Sequence, residues 1–245
     1  MTTAVQSLDR ALTLLELIAA EPEGHRLSDL ARAAALAVST THRLLTTLEQ
    51  RGFVQTDVAT GRWHIGSRAH SVGAAWGTAR NLLAPAMPYL RRLRDATRET
   101  ANLGVIEDGH VITGAQAESR EIMRAISPPG GHAPIFCSGM GKAIVATWED
   151  EQIDRLVDLY GLTAATAKSL TGLDTVHAEI ARIRAQGYAV SQEDLFEYVV
   201  AVGAPVFDDR NRLSGAISVG NITQRYPPER IEEVRDILIE EIGRY

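Results

Sequence analysis

Residues 27–66 read LSDLARAAALAVSTTHRLLTTLEQRGFVQTDVATGRWHIG, and the architecture of the N-terminal part turns on them. The pattern predicts a short helix, a tight turn, a second helix and a β-hairpin. The second helix is expected to begin at Ser39, whose hydroxyl can accept a hydrogen bond from an orphan N–H of the first turn. Thr41, Leu44, Leu45 and Leu48 recur at helical spacing and form one inward stripe. Arg43 projects from nearly the opposite side, flanked by Ser39, Thr40, Thr46 and Gln50. Short hydrogen-bonding groups around one guanidinium suit base edges and phosphates. Gly52 closes the helix through the left-handed conformation open to glycine. Phe53-Val54 opens a strand, Ala59-Thr60-Gly61 turns it, and Arg62-Trp63-His64-Ile65 returns. A helix-turn-helix followed by such a hairpin is a winged helix, one helix in the major groove and the wing on the backbone. An ordinary helix pair with a solvated polar face shares this short pattern. On the DNA reading, the contacts to double-stranded operator DNA fall to Ser28, Ser39, Thr40, Thr41, His42, Arg43, Thr46, Thr47 and Arg62.

Outward from that stretch, 245 residues allow two modest domains, each able to bury a core. A hydrophobic fraction of 45% and a charged fraction of 23% are those of a globular protein. No apolar run approaches the roughly 18 residues that cross a bilayer. The start, MTTAVQSLDRALTLLEL, lacks a basic cluster and is interrupted by Asp9, Arg10 and Glu16, so no secretory signal is expected. The single cysteine, Cys137, fits a reducing cytoplasm. A net charge of −6 opposes nucleic-acid binding in sum but not in distribution. Arg32, Arg43, Arg51, Arg62 and Arg68 face only Glu49 and Asp57 across residues 31–68, whereas acidic residues gather later. A basic reading head on an acidic body is the pattern of a regulator.

In chain order, residues 7–20 form an amphipathic helix with Leu8, Leu12, Leu14, Leu15, Leu17 and Ile18 on a broad apolar face. Ser28 is expected to cap the helix that follows. Residues 67–98 read as linker helices, Trp76 falling in the first. The second, residues 82–97, carries Leu83, Met87, Leu90 and Leu93 on one side and Arg91, Arg92 and Arg94 on the other, with Arg98 just beyond. Its apolar face is docked on its own domain or shared with a second copy. A homo-oligomer is expected because paired winged helices read a pseudo-palindrome. From Thr100, strands are predicted at 101–106, 110–117, 188–192, 198–207 and 212–219. The last two are joined by the turn Asp208-Asp209-Arg210-Asn211, and residues 127–131 form a Pro/Gly loop. Helices are predicted at 141–147, 149–160, 174–186 and 227–242. The fold expected is α+β, an antiparallel sheet with helices packed on it. The domains are then 1–66, 67–98 and 99–245.

The segments SLDRALTLLELIA, LSDLARAAALAVSTTHRLLTTLEQRGFV, GRWHIGSR, SGMGKAIVA, QGYAVSQED and VGAPVFDDRNRLSGAISV together resemble the IclR family of bacterial transcriptional regulators, in order and spacing over nearly the whole chain. The resemblance implies an N-terminal winged helix-turn-helix, a linker helix and a C-terminal GAF-like effector domain. It implies dimers or dimers of dimers acting as repressors or activators, commonly on catabolism of organic acids and aromatic compounds. It also implies an effector pocket lined by Ser138, Gly139, Met140 and Gly141, by Ser191, Gln192 and Glu193, and by strands around Ala201 and Ser218. Ile122, Ala125, Ala133 and Phe136 would supply an apolar lid. Gly139 and Met140 fall where a helix begins, and N–H groups there attract a carboxylate, so a small carboxylic-acid effector is expected. Many members place an acidic residue at Ser191, a cysteine at Ala201 and a glycine at Tyr198. These departures leave a more apolar lining and suggest a larger, partly aromatic acid.

Other chemistries fit less well. Cys137 with His132 suggests a thiol nucleophile, against which stands a small buried thiol beside an unrelated histidine. Gly139-Met140-Gly141-Lys142 lacks the first glycine and the Ser or Thr of a phosphate loop. The seven histidines show no HxxxH or HExxH spacing, so neither a metal nor another cofactor is expected. Asp194 and Glu197 could form paired carboxylates, but a solvated turn is the simpler reading. Two classes remain: a ligand-responsive regulator, or a small-molecule enzyme or binding protein carrying a structural helix-turn-helix.

Overall fold

A computed structural model of the chain describes residues 5–80, 83–124, 127–208 and 210–244. The expected roles of Leu82, Ala125 and Asp209, and of the Trp76 and Leu83 side chains, lie outside the described residues. The chain divides into two compact units, Met1–Arg80 and Asn81–Tyr245.

The first unit contains α1 (Gln6–Ala19), α2 (Leu27–Ala33), α3 (Val38–Gln50), the hairpin β1 (Val54–Asp57) and β2 (Arg62–Ile65), and α4 (Ser67–Arg80). Leu14, Ile18, Leu30, Leu45, Val54 and Trp63 close one small core, with Leu44 and Leu48 packed at its edge. Each fully buried leucine contributes about 1.5–3 kcal/mol. The face of α1 is narrower than its sequence suggests: Leu8 and Leu12 stand 59% and 49% exposed. Leu14 and Ile18, one turn apart, make the buried contact instead.

Neither expected serine cap forms. α2 begins at Leu27 and α3 at Val38, and their cap positions, Arg26 and Ala37, provide no side-chain acceptor. The intervening turn sets this register. Ala35 adopts a φ of 51° while the Leu36 N–H reaches back to the Ala31 carbonyl at 2.9 Å. The α3 ladder then starts early, with Thr41 N–H donating to Ala37 O at 3.0 Å. Ser28 and Ser39 are left as exposed first-turn residues. The wing is braced through Glu49, whose carboxylate accepts from the Thr56 N–H at 3.1 Å and its hydroxyl at 2.7 Å.

The second unit contains α5 (Leu83–Thr97), β3 (Thr100–Glu107), β4 (His110–Ala117), β5 (His132–Pro134), α6 (Gly139–Val145), α7 (Asp150–Tyr160), α8 (Leu173–Gln186), β6 (Ala189–Gln192), β7 (Val199–Phe207), β8 (Leu213–Ile222) and α9 (Pro228–Ile242). Its sheet runs β5-β4-β3-β8-β7-β6, antiparallel at every pairing. One face buries Leu103, Val202, Ile217 and Val219 against α5 and α9. The other carries α6, behind which α7 and α8 enclose Ile144, Ile153, Val176 and Ile180. The apolar side of α5 is therefore docked on its own unit, with Ala86, Leu90 and Leu93 fully buried. This places α5 with the effector-side unit rather than in a separate linker. β5 is a strand where none was expected, and β8 runs three residues past Val219. α6 starts at Gly139, two residues early, because the Ser138 hydroxyl caps it by accepting from the Gly141 N–H at 3.4 Å. No described helix is long and apolar enough to cross a membrane.

Candidate nucleic-acid interface and effector cavity

α3 divides as a reading helix must. Leu45 and Thr41 are fully buried, and Ser39, His42, Arg43 and Thr47 are exposed, with Thr40 and Thr46 half-buried between them. Thr41 was expected among the DNA contacts, yet it faces the core and donates its hydroxyl to Ala37 O at 3.2 Å. Thr46 and Thr47 donate to His42 O and Arg43 O at 2.9 and 3.0 Å, which leaves their oxygen lone pairs outward. Arg43 has no acidic partner among the described residues. Arg62, also expected on DNA, is half-buried and donates to Gly24 O at 2.6 Å, bracing the base of the wing.

A cavity of about 230 Å³ lies between the start of α6 and the sheet. Ser138, Gly139 and Met140 line it from α6; Ser191, Ala201 and Ser218 line it from β6, β7 and β8; Ala133 closes one side. These seven expected residues come together. Close backbone approach makes this possible: a Cβ on Gly203 would lie 2.8 Å from the Gly139 carbonyl, so the first turn of α6 rests directly on β7. Ser191 is tied by its hydroxyl to Cys137 O at 3.0 Å.

Five expected residues do not line it. Ile122 is 95% exposed and forms no lid. Phe136 turns into a separate void of about 70 Å³ beside Leu156 and Tyr160. Gly141 is buried because its α-carbon abuts the Ile135 carbonyl, where an added Cβ would come to 2.2 Å. Gln192 borders a different cleft with Lys142 and Tyr188. Glu193 is held by Lys168 and by the Thr223 hydroxyl at 3.2 Å, and the Lys168 ammonium lowers its carboxyl pKa. Asp194 is not on a solvated turn but 6% exposed and paired with Lys142.

The sequence reading missed Asn102, Val111 and Thr113, then Ser127, Pro128, Gly131 and His132, and finally Cys137, Leu195, Phe196, Val199 and Gly220. Asn102 was signalled by being the one amide in the buried run TANLGVI, and Gly220 by lying two residues from Ser218 on the same strand face. Among the described lining residues there is no Asp, Glu, Lys or Arg. The polar groups the cavity offers are hydroxyls, one amide, one imidazole, the Cys137 thiol and the α6 N–H groups, whose first turn lacks intrahelical partners. Cys137 is a core thiol: it donates to Thr163 O at 3.3 Å, and burial pushes its pKa up, away from nucleophilic use.

The IclR helix-turn-helix domain model matches residues 7–58, and the bacterial transcriptional regulator IclR C-terminal model matches residues 76–242. This chain belongs to the IclR family. It is 37% identical to the transcriptional repressor IclR of Escherichia coli (strain K12) over 240 residues, 97% of this chain and 88% of that protein. Two solved structures share the fold. IclR of Thermotoga maritima superposes with a TM-score of 0.81 at 24% identity, covering 98% of both chains. An IclR homolog from Microbacterium hydrocarbonoxydans complexed with 4-hydroxybenzoate gives 0.75 at 19%, covering 96% and 97%. The chain is thus an IclR-type DNA-binding transcriptional regulator with a C-terminal effector domain, and not an enzyme. That membership disposes of the enzyme with a structural helix-turn-helix.

Proposed function

We propose that this IclR-type regulator controls catabolism of an organic acid, including an aromatic one, and senses that acid in the 230 Å³ cavity. The observation that carries the proposal is the lining: a helix start at one end, otherwise neutral and largely apolar walls with Phe196, Met140 and Val199 among them. Drug-sized ligands occupy about 300–1,000 Å³, so a single-ring or short-chain acid is the better fit. The effector carboxylate takes the α6 N-terminal N–H groups of Gly139 and Met140 and the Ser138 hydroxyl. The DNA side is the exposed face of α3, with Ser39, Thr40, His42, Arg43, Thr46 and Thr47 against an operator. Paired copies of the chain, as a dimer or dimer of dimers in the cytoplasm, present two such faces to a pseudo-palindrome. Effector binding acts by differential affinity for two arrangements of the assembly and so shifts their populations.

Isothermal titration with a panel of benzoates and short oxo-acids tests the sensing half. Heat from benzoates is the expected result, and heat from the short oxo-acids alone overturns the aromatic reading. An electrophoretic shift on DNA flanking the protein's own gene, changed by the acid that gives heat, tests the regulatory half.

A further inference from the structure

We infer that the cavity reads a second group on its ligand, a neutral hydrogen-bond acceptor at the end remote from α6, through the side-chain amide of Asn102. The inference rests on the proposal that this cavity is the effector site, and it narrows the ligand to a monocarboxylic acid with a hydroxyl or carbonyl across the ring.

Asn102 sits mid-strand in β3, 6% exposed, opposite Gln116 on β4. Gln116 Nε2 donates to the Ser127 carbonyl at 2.8 Å and to Asn102 Oδ1 at 3.0 Å. A backbone carbonyl only accepts, so the Gln116 atom facing it is nitrogen, and both amide hydrogens are then used. Asn102 must meet that nitrogen with its oxygen. The orientation of its amide is therefore locked, and Nδ2 is turned away from Gln116 with no protein acceptor among the described residues. Asn102 lines the cavity, and Nδ2 is the donor it offers there.

A β-bulge builds the surroundings. In a regular strand Thr113 and Gln116 would face opposite sides of the sheet. The β3–β4 register shifts between Leu103 and Gly104, which leaves Gly114 as an extra residue and brings Thr113 and Gln116 to the cavity side. Ala115 and Ala117 stay in the opposite core. Thr113 Oγ1 and Ser127 Oγ, 3.0 Å apart, complete a polar corner around Asn102.

This corner is at ligand distance from α6. Asn102 pairs with Ser218, and Ser218 with Gly203, on which the start of α6 rests. Two interstrand steps are about 10 Å. A single-ring acid anchored at Gly139 and Met140 delivers its far substituent to the corner. A second carboxylate would be buried without a cationic lining residue, which is costly, whereas a hydroxyl or carbonyl oxygen accepts from Nδ2 at no such cost.

The test is titration of the full-length chain with 4-hydroxybenzoate, 4-formylbenzoate and 4-methylbenzoate. The wild-type chain is expected to bind the first two about tenfold tighter than the third, the effect of one hydrogen bond. Asn102→Leu should erase the preference, bringing the three affinities within about twofold of one another. Gln116→Met, a change at a positioning residue, should shrink the ratio without lowering 4-methylbenzoate affinity, which a purely structural role would not produce. Equal wild-type affinities for all three acids overturn the inference and leave the effector site standing. So does an Asn102→Leu chain that keeps the preference, or one that melts like wild type yet loses all three acids. If none of the acids binds the wild-type chain, the effector reading falls and this inference with it.

Discussion

Lys142 Nζ lies 2.6 Å from Asp194 Oδ2, and both side chains are nearly sealed from solvent, 3% and 9% exposed. The same ammonium donates to Glu179 Oε1 at 3.0 Å and to the Val190 carbonyl at 2.7 Å. All three donors of the lysine are thereby used, and α6, α8 and the segment after β6 are joined at one point. Glu179 shows the balance directly: burial raises its carboxyl pKa, and the Lys142 charge with Arg182 outweighs that and lowers it. The segment held by Asp194 continues into Leu195 and Phe196, which wall the cavity.

Removing the lysine leaves the buried Asp194 carboxylate without its counter-charge, while Glu179 keeps Arg182 at 2.7 Å. Lys142→Met is expected to cost about 3–5 kcal/mol of unfolding free energy, the range for breaking a buried pair from one side. Lys142→Met with Asp194→Asn should recover part of that loss. Urea denaturation of the three chains checks it; a single substitution costing less than about 1 kcal/mol contradicts the assigned role.

Glu99 presents the opposite case. Its side chain is 2% exposed, Arg225 pairs with Oε1 at 3.1 Å, and Oε2 has no hydrogen-bond partner among the described residues. Burial raises its pKa above the ordinary 4.5 despite Arg225. The folded state thus holds this proton more tightly than the unfolded chain. The carboxyl imposes no penalty below pH 4.5, and the penalty grows as pH rises through the elevated folded value. Glu99→Gln is therefore expected to raise the melting temperature at pH 7 by about 3 °C, and to give no gain near pH 4. Scanning calorimetry at both pH values decides; a less stable Gln chain at pH 7 means the Arg225 pair dominates.

What was legible in the sequence was mostly periodic. The Leu44-Leu45-Leu48 stripe, the wing turn and the apolar runs of β4 and β7 each follow a local rule, so they appear in the structure close to where the pattern puts them. Features set by distant contacts were not legible. The burial of Asp194 depends on a lysine 52 positions earlier in the chain. The helix starts at Leu27 and Val38 follow from the turn at Ala35, not from the nearest serine. His132-Ala133-Pro134 is too short to alternate and ends in proline, so β5 at the sheet edge left no pattern. The bulge at Gly114 reversed the parity of β4 and concealed Gln116 and Asn102 as partners.

Two glycines of the α6 start separate fold from binding. A Cβ at Gly141 would meet the Ile135 carbonyl at 2.2 Å, a backbone atom that cannot swing aside. A Cβ at Gly139 would meet the Ala201 carbonyl at 3.2 Å, which a shift of a few tenths of an ångström relieves. Gly141→Ala is expected to destabilise the chain by about 2–3 kcal/mol. Gly139→Ala should cost about 1 kcal/mol or less, while its methyl takes cavity space and lowers acid affinity. Paired melts and titrations test the contrast, and equal effects of both substitutions on stability would count against it.

On α3, two residues on opposite faces are predicted to behave in opposite ways. Thr41 is sealed in the core, and Thr41→Val removes only its bond to Ala37 O, a loss of about 1 kcal/mol of stability. Its DNA affinity should equal that of the wild-type chain. Arg43 is exposed with no partner among the described residues, so Arg43→Ala should leave stability within about 0.5 kcal/mol. It should abolish the electrophoretic shift at moderate salt and, where residual binding is measurable at low salt, reduce the slope of log affinity against log salt by about 1 per lost phosphate contact. Acid binding in the other unit should be unaffected by either change. Loss of DNA binding in Thr41→Val at unchanged melting temperature would place the reading face nearly half a turn from where the burial of α3 puts it.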